Sequence, residues 1–256
     1  MMGARQPADE SLDFLPLFRT RTAEDLRILA SFHDREPDAR LADELRAMDF
    51  PDCLTLPLTD GLGQDAAFIM KEAMKSLPPG SDQERWDELA ADYASIYLNY
   101  GIGASPEESV WLDEDSLVCQ DSMFQVRQWY ANHGLQVANW RTRPDDHLAY
   151  QLLFIAHLLE KDEETSTLRE TARFMDEHLL RWVGSFAERV MQRCDTPWFA
   201  GAAGLTAAYA EELREILADI LKEPRPSPEE IEERMKPRRE VEEVPVAFMP
   251  GMGPVV

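Results

Sequence analysis

Apolar residues in this 256-residue chain recur every three or four positions, and no convincing alternating run interrupts them. A period of 3.6 lays one apolar stripe along a helix, whereas alternation marks a half-buried strand. The chain is therefore expected to be all-α. The densest case is residues 143–160, RPDDHLAYQLLFIAHLLE, in which Leu148, Leu152, Ile155 and Leu159 share one helical face. Leu153, Phe154 and Ala156 widen that face until little polar surface is left, so this helix should be central. Pro144 is read into its first turn, where the missing N–H costs nothing, and Asp145 and Asp146 suit the positive end of the helix dipole. His147 does not suit it. An Asp-His pair at the mouth of the most buried helix is an unusual placement for stability alone.

The same period predicts helices over 23–32 (capped by Thr22), 37–50, 65–77 and 83–100, the last with Trp86, Leu89, Tyr93, Ile96, Tyr97 and Tyr100 in phase. A further helix is expected from Asp115 to His133, where Gly134 ends it, with Cys119 inward beside Met123, Val126 and Tyr130. Residues 135–143 read as a connector. Residues 165–193 carry Leu168, Met175, Leu179, Trp182, Phe186 and Val190, with a bend or split near His178–Trp182 that Gly184 could cause. Thr196-Pro197 starts a last helix striped by Leu205, Tyr209, Leu213, Ile216 and Ile220. Residues 1–20 are expected to be loosely ordered. The Pro-rich residues 223–256 are expected to form a disordered or loosely docked tail.

Composition narrows the function. With 49 acidic against 26 basic residues the net charge is −23, which argues against nucleic acid and anionic membranes as partners. Three scattered cysteines fit a reducing compartment better than a disulfide framework. The first residues lack the apolar run of a signal peptide, and no stretch reaches the roughly 18 apolar residues of a membrane span. A cytoplasmic chain without membrane insertion is the expectation.

Enzyme constellations are sparse. The histidines offer no i, i+4 pair and no HExxH, and there is no GxSxG, P-loop or GxGxxG. Gly101-x-Gly103 follows a helix, so it reads as a stop signal rather than a phosphate cradle. No catalytic residue, cofactor or metal is expected. A binding surface remains: Tyr93, Ile96 and Tyr97, the loop Ser109-Val110-Trp111, and Pro144, Asp146 and His147 combine aromatic area with polar anchors. That is the makeup of a peptide groove in which a carboxylate can pair an arginine. Tyr93 and Ile96 also lie on an apolar stripe, where core burial is the alternative. Trp111 stands equally between core and site, and Asp146 and His147 could simply cap their helix.

Three ordered segments resemble the TorD/DmsD family of molybdoenzyme-specific chaperones. Tyr93-x-x-Ile96-Tyr97, Gly101 and Ser109-Val110-Trp111-Leu112 resemble the family's Y-x-x-L-F helix and the S-x-aromatic loop after it. Arg143-Pro144-Asp145-Asp146-His147 resembles its Asp-His hallmark, and Phe174 to Trp182, FMDEHLLRW, its late H-L-x-x-W segment. The match runs over about 20–220.

The resemblance implies a single two-lobed helical bundle domain over 21–222, with lobes of about 21–134 and 144–222 and a hinge at 135–143. It implies binding of the twin-arginine leader and apo catalytic subunit of a molybdopterin (dimethyl sulfoxide reductase-type) enzyme, delaying export until cofactor insertion. Translocase components are a further partner in question, and the chain could be a monomer or a lobe-swapped dimer. Leader contacts carry over to Tyr93, Ile96, Tyr97, Ser109, Trp111, Pro144, Asp146 and His147. Where the family has leucine-phenylalanine this chain has Ile96-Tyr97, and its tail has no family counterpart. Guanine-nucleotide binding or hydrolysis is the alternative function, without a phosphate-binding motif here to support it.

Overall fold

The computed structural model describes residues 10–59, 61–113 and 115–236. Every regular element among them is helical, with no strand and one isolated antiparallel bridge, Glu107 to His147. The described residues fall into two compact units that divide after Arg225.

In the first unit, α1 (Glu10–Asp34) and α7 (Leu148–Lys161) form the most extensive helix pair. α10 (Pro197–Leu221) packs chiefly against α3 (Gly61–Ser76) and α9 (Val183–Arg193). Leu148, Leu152, Ile155 and Leu159 are all completely buried, so α7 is the central helix that its all-round apolarity requires. Gly201 lets α10 approach α3 closely: a Cβ there would stand 2.8 Å from Met70 Sδ and 3.0 Å from Met70 Cα.

Several boundaries differ from those the period suggests. α1 begins at Glu10, so residues 10–20 are helical rather than loosely ordered, and Thr22 is buried inside the helix instead of capping it. α2 (Ala39–Ala47) is capped by Asp38. α4 (Gln83–Tyr93) passes into a π-helical turn at Ala94–Leu98. That wider turn shifts the register, and Tyr100 leaves the helical phase with φ +56° and 42% exposure.

The helix expected from Asp115 is two pieces, α5 (Ser109–Leu112) and α6 (Asp121–Asn132). Cys119 lies between them at φ +62°, half-buried, and not in phase with Met123. The split near His178–Trp182 is present: α8 (Thr165–Glu177) ends before a 3-10 turn at Leu179–Arg181, and α9 follows. Gly184 sits inside α9 and does not cause the break. Ile220 of the last stripe is 37% exposed.

In the second unit, α11 (Pro228–Met235) falls within the stretch read as a tail. Ser227 and Glu230 close a capping box around Pro228 at its start, a local signal strong enough to nucleate one short helix. The rest of the expected tail, 237–256, lies outside the described residues. Among the described residues no helix is long and apolar enough to cross a membrane.

Candidate functional site

The Asp-His pair stands in a turn ahead of α7, not in its first helical turn. The His147 N–H donates to the Pro144 carbonyl at 3.3 Å, and His147, extended at ψ 137°, is the N-cap. Its Nδ1 accepts from the Ala149 N–H at 3.1 Å, which fixes the neutral tautomer with the proton on Nε2. Burial, reinforced by the Arg143 charge, holds this imidazole well below its ordinary pKa. That removes the conflict with the helix dipole: an uncharged histidine caps as asparagine would.

The two aspartates are taken by tertiary partners rather than by the helix end. Asp145 accepts from Arg127 Nη2 at 2.8 Å, and its carbonyl accepts from Tyr130 Oη at 3.0 Å. Asp146 Oδ2 accepts from the Ser109 N–H at 2.8 Å. Leu148 N–H donates to Pro106 O at 2.8 Å, so segment 106–109 is sewn along segment 146–148. Asp146 Oδ1 is buried and has no hydrogen-bond partner among the described residues. Burial pushes the Asp146 pKa up to about 6.

Two acids absent from the sequence expectations complete the cluster. Glu107 is 2% exposed; burial pushes its pKa up to about 7 against the pull of a bond from Ser105 Oγ, with the nearby Asp146 charge adding to the rise. Tyr100 Oη also donates to Glu107, at 3.3 Å, and is the exposed end of this chain of bonds. Glu108 is fully buried and reaches His178 Nδ1 at 2.9 Å and Gln151 Nε2 at 2.6 Å. Gln151 Oε1 in turn accepts from Trp182 Nε1 at 3.4 Å, joining the H-L-x-x-W segment to the Asp-His turn. Only the pairing of Glu107-Glu108 beside Ser109 could have flagged these acids; the partners of Glu108 lie 43 and 70 residues along the chain.

The aromatic residues approach from α4 and the π turn. Tyr93 and Tyr97 stack with centroids 4.7 Å apart, and the Tyr97 ring lies 6.5 Å from that of His147. Tyr97 Oη meets His33 Nδ1 at 2.7 Å, while His33 Nε2 meets Thr206 Oγ1 at 2.9 Å. The hydroxyl that distinguishes Tyr97 from the family's phenylalanine is thus used inside the core. Tyr93 Oη donates to Asp34 O at 2.8 Å. Trp111 Nε1 donates to Ser105 O at 2.8 Å, and the Arg189 guanidinium lies over its ring at 4.6 Å.

Of the eight expected contact residues, Tyr93, Ile96, Tyr97, Ser109, Pro144, Asp146 and His147 are buried, and Trp111 alone is half-exposed. Direct contacts link Tyr93 to Tyr97, Tyr97 to His147 and Ser109 to Asp146. Among the described residues no group of three or more His, Cys, Asp or Glu is placed to hold a metal ion.

Among the described residues this is an all-helical bundle that holds a buried, acid-rich polar cluster beside the stacked Tyr93 and Tyr97, which places it in the class of helical-bundle proteins. Its sequence matches the family model described as nitrate reductase delta subunit over residues 59–188. The chaperone protein TorD of Vibrio cholerae is 32% identical over 160 residues, 59% of this chain and 71% of its own length. TorD of Vibrio vulnificus is 29% identical over 202 residues, 75% of this chain and 92% of its own. The Tat proofreading chaperone DmsD of Salmonella typhimurium is 30% identical over 140 residues, 55% of this chain and 61% of its own. The chain belongs to this TorD/DmsD chaperone family.

Proposed function

We propose that this protein is a cytoplasmic maturation chaperone for a molybdopterin oxidoreductase. It binds the twin-arginine leader and the apo form of the catalytic subunit and delays export until the cofactor is in place. The observation that carries this reading is the family relationship, in which relatives of two kinds are named as chaperones. No catalytic role for its own residues is part of the reading. Neither the fold nor the relatives' names lend support to the guanine-nucleotide alternative.

The site supports the reading through its charge. A leader is cationic and apolar in its middle, and a chain of net charge −23 attracts it over distance. Asp146 carries an unpartnered oxygen, and Glu107 is held near neutrality by burial; both are stabilised as anions by an arriving guanidinium. Trp111 supplies the partly exposed ring beside them, and the remaining contact residues hold these groups in place from within. Binding therefore releases protons near neutral pH. Residues 135–143 serve as the hinge if the lobes exchange between two copies.

Calorimetric titration with synthetic twin-arginine leaders of molybdoenzymes encoded beside this chain tests the reading, with twin-lysine versions as controls. One leader should bind, with a heat that depends on buffer ionisation enthalpy, and Asp146→Ala or Trp111→Ala should weaken it. Failure of every leader to bind the folded protein sinks the proposal.

A further inference from the structure

Away from the acid cluster, α3, α9 and α10 enclose an open groove of about 860 Å3. Leu62 and Ile69 of α3, Val183 and Met191 of α9, and Ala207 of α10 make it apolar. Leu62 is 78% exposed and Met191 41%, so the described residues leave this surface uncovered. Gly184 opens directly onto free space: a Cβ built there meets nothing within 4 Å.

Each wall also contributes one exposed acid, Asp65 from α3, Glu188 from α9 and Glu211 from α10, and among the described residues no Lys or Arg lines the groove. Arg225 neutralises Glu211 at 2.6 Å. Among the described residues Asp65 and Glu188 have no cationic partner; Glu188 meets only the neutral Gln192 amide, at 3.0 Å. An apolar trough with uncompensated acids at its lip selects an apolar segment with a cationic flank. It disfavours a second copy of this chain, which brings the same acids and the same net charge of −23 to the contact.

α9 ties this groove to the cluster described above. Val183, Ala187 and Met191 face the groove, while Arg189 stacks on Trp111 and donates to the Gly103 carbonyl at 2.9 Å. Phe186, between them, lies 6.4 Å from the Tyr97 ring. One helix therefore contacts both surfaces.

We infer that the α3–α9–α10 groove seats the apolar middle of the client leader, with the leader's cationic flank against Asp65 and Glu188. This rests on the chaperone reading and adds a second surface to it. The test uses the leader that the wild-type protein binds in the titration above. Gly184→Leu projects a branched side chain into the groove from a position where the Cβ meets nothing within 4 Å, and Gly184→Ala adds only one carbon. The leucine variant should weaken leader binding by about tenfold or more, and the alanine variant by less than about threefold, at unchanged or raised melting temperature. Asp65→Lys with Glu188→Lys should weaken it further at low salt than at high salt. A benzophenone placed in the leader's apolar middle should crosslink to α3, α9 or α10.

Full binding by Gly184→Leu, with crosslinks confined to the segments around Tyr93 and Trp111, overturns the groove and leaves the chaperone reading standing. A wild-type protein that binds no leader overturns both. A leader-free dimer in sedimentation that Gly184→Leu dissociates assigns the groove to a second copy and overturns the inference as well.

Discussion

Replacing Glu107 with glutamine should stabilise the protein above neutrality and do little in mild acid. The carboxyl is 2% exposed, and its pKa rises from an ordinary 4.5 to about 7, with burial the largest cause. A folded-state pKa above the unfolded one means that the native protein holds more protons between those values, so stability falls as pH rises through that window. At about 1.4 kcal/mol for each tenfold change in proton affinity, ionised Glu107 costs the fold about 3 kcal/mol at pH 8. Glutamine keeps the shape and one acceptor but forfeits one of the bonds from Ser105 and Tyr100, a loss of about 1 kcal/mol. The net gain is about 2 kcal/mol at pH 8, or roughly 4–8 °C in melting temperature for a domain of this size. At pH 4.5 the gain vanishes and the lost bond leaves the variant slightly less stable. Other groups slope the wild-type profile too. Asp146 acts in the same direction as Glu107. His33, held by burial at about 3, acts in the opposite direction, losing stability as pH falls below its unfolded value. The difference between variant and wild type, read by calorimetry from pH 4.5 to 8, isolates Glu107. Parallel curves would refute the claim that this acid is buried at a cost.

Gly201→Ala forces a Cβ against Met70 Sδ and Cα and should lower stability by about 1–3 kcal/mol in chemical denaturation. Gly184→Ala, which meets nothing, should raise it by about 0.5–1 kcal/mol, and a matching response at both sites would contradict the packing of α10 on α3. Arg214 grips Asp176 through two bonds of 2.9 and 2.8 Å, both side chains being buried. Arg214→Met should cost about 3 kcal/mol by stranding Asp176, whose other cationic neighbour, Arg225, stands 3.5 Å off. Adding Asp176→Leu should recover most of that loss; no recovery would mean that the arginine acts through packing alone.

The helical period was enough to find α7 and α10, because those elements bury a broad stripe and nothing local competes with it, while the break after α8 was placed correctly for the wrong reason, since Gly184 lies inside α9. It failed where backbone geometry overrode phase. Tyr100 and Cys119 both fit a stripe on paper, but a π turn before one and a left-handed residue at the other take them out of it. Asp146 and His147 stood out in the sequence because a histidine is wrong for a helix start. Glu107 and Glu108 did not, since acids in a loop read as solvated; what buries them are partners up to 70 residues away, such as His178. The apolar stripe of Tyr93 and Ile96 is compatible with either core or site, and both are buried.

The pairing of α1 with α7 also sets a timetable for synthesis. Phe32 of α1 meets Phe50 early, but the helix's most extensive partner is complete only when residues 148–161 have left the ribosome, roughly ten seconds later at bacterial elongation rates. The buried links of α1 to Thr206 and Tyr209 need still later residues. A nascent chain of this protein therefore keeps part of the α1 face uncovered for most of its synthesis, and a protein proposed to shelter other chains has an apolar face of its own to cover while being made.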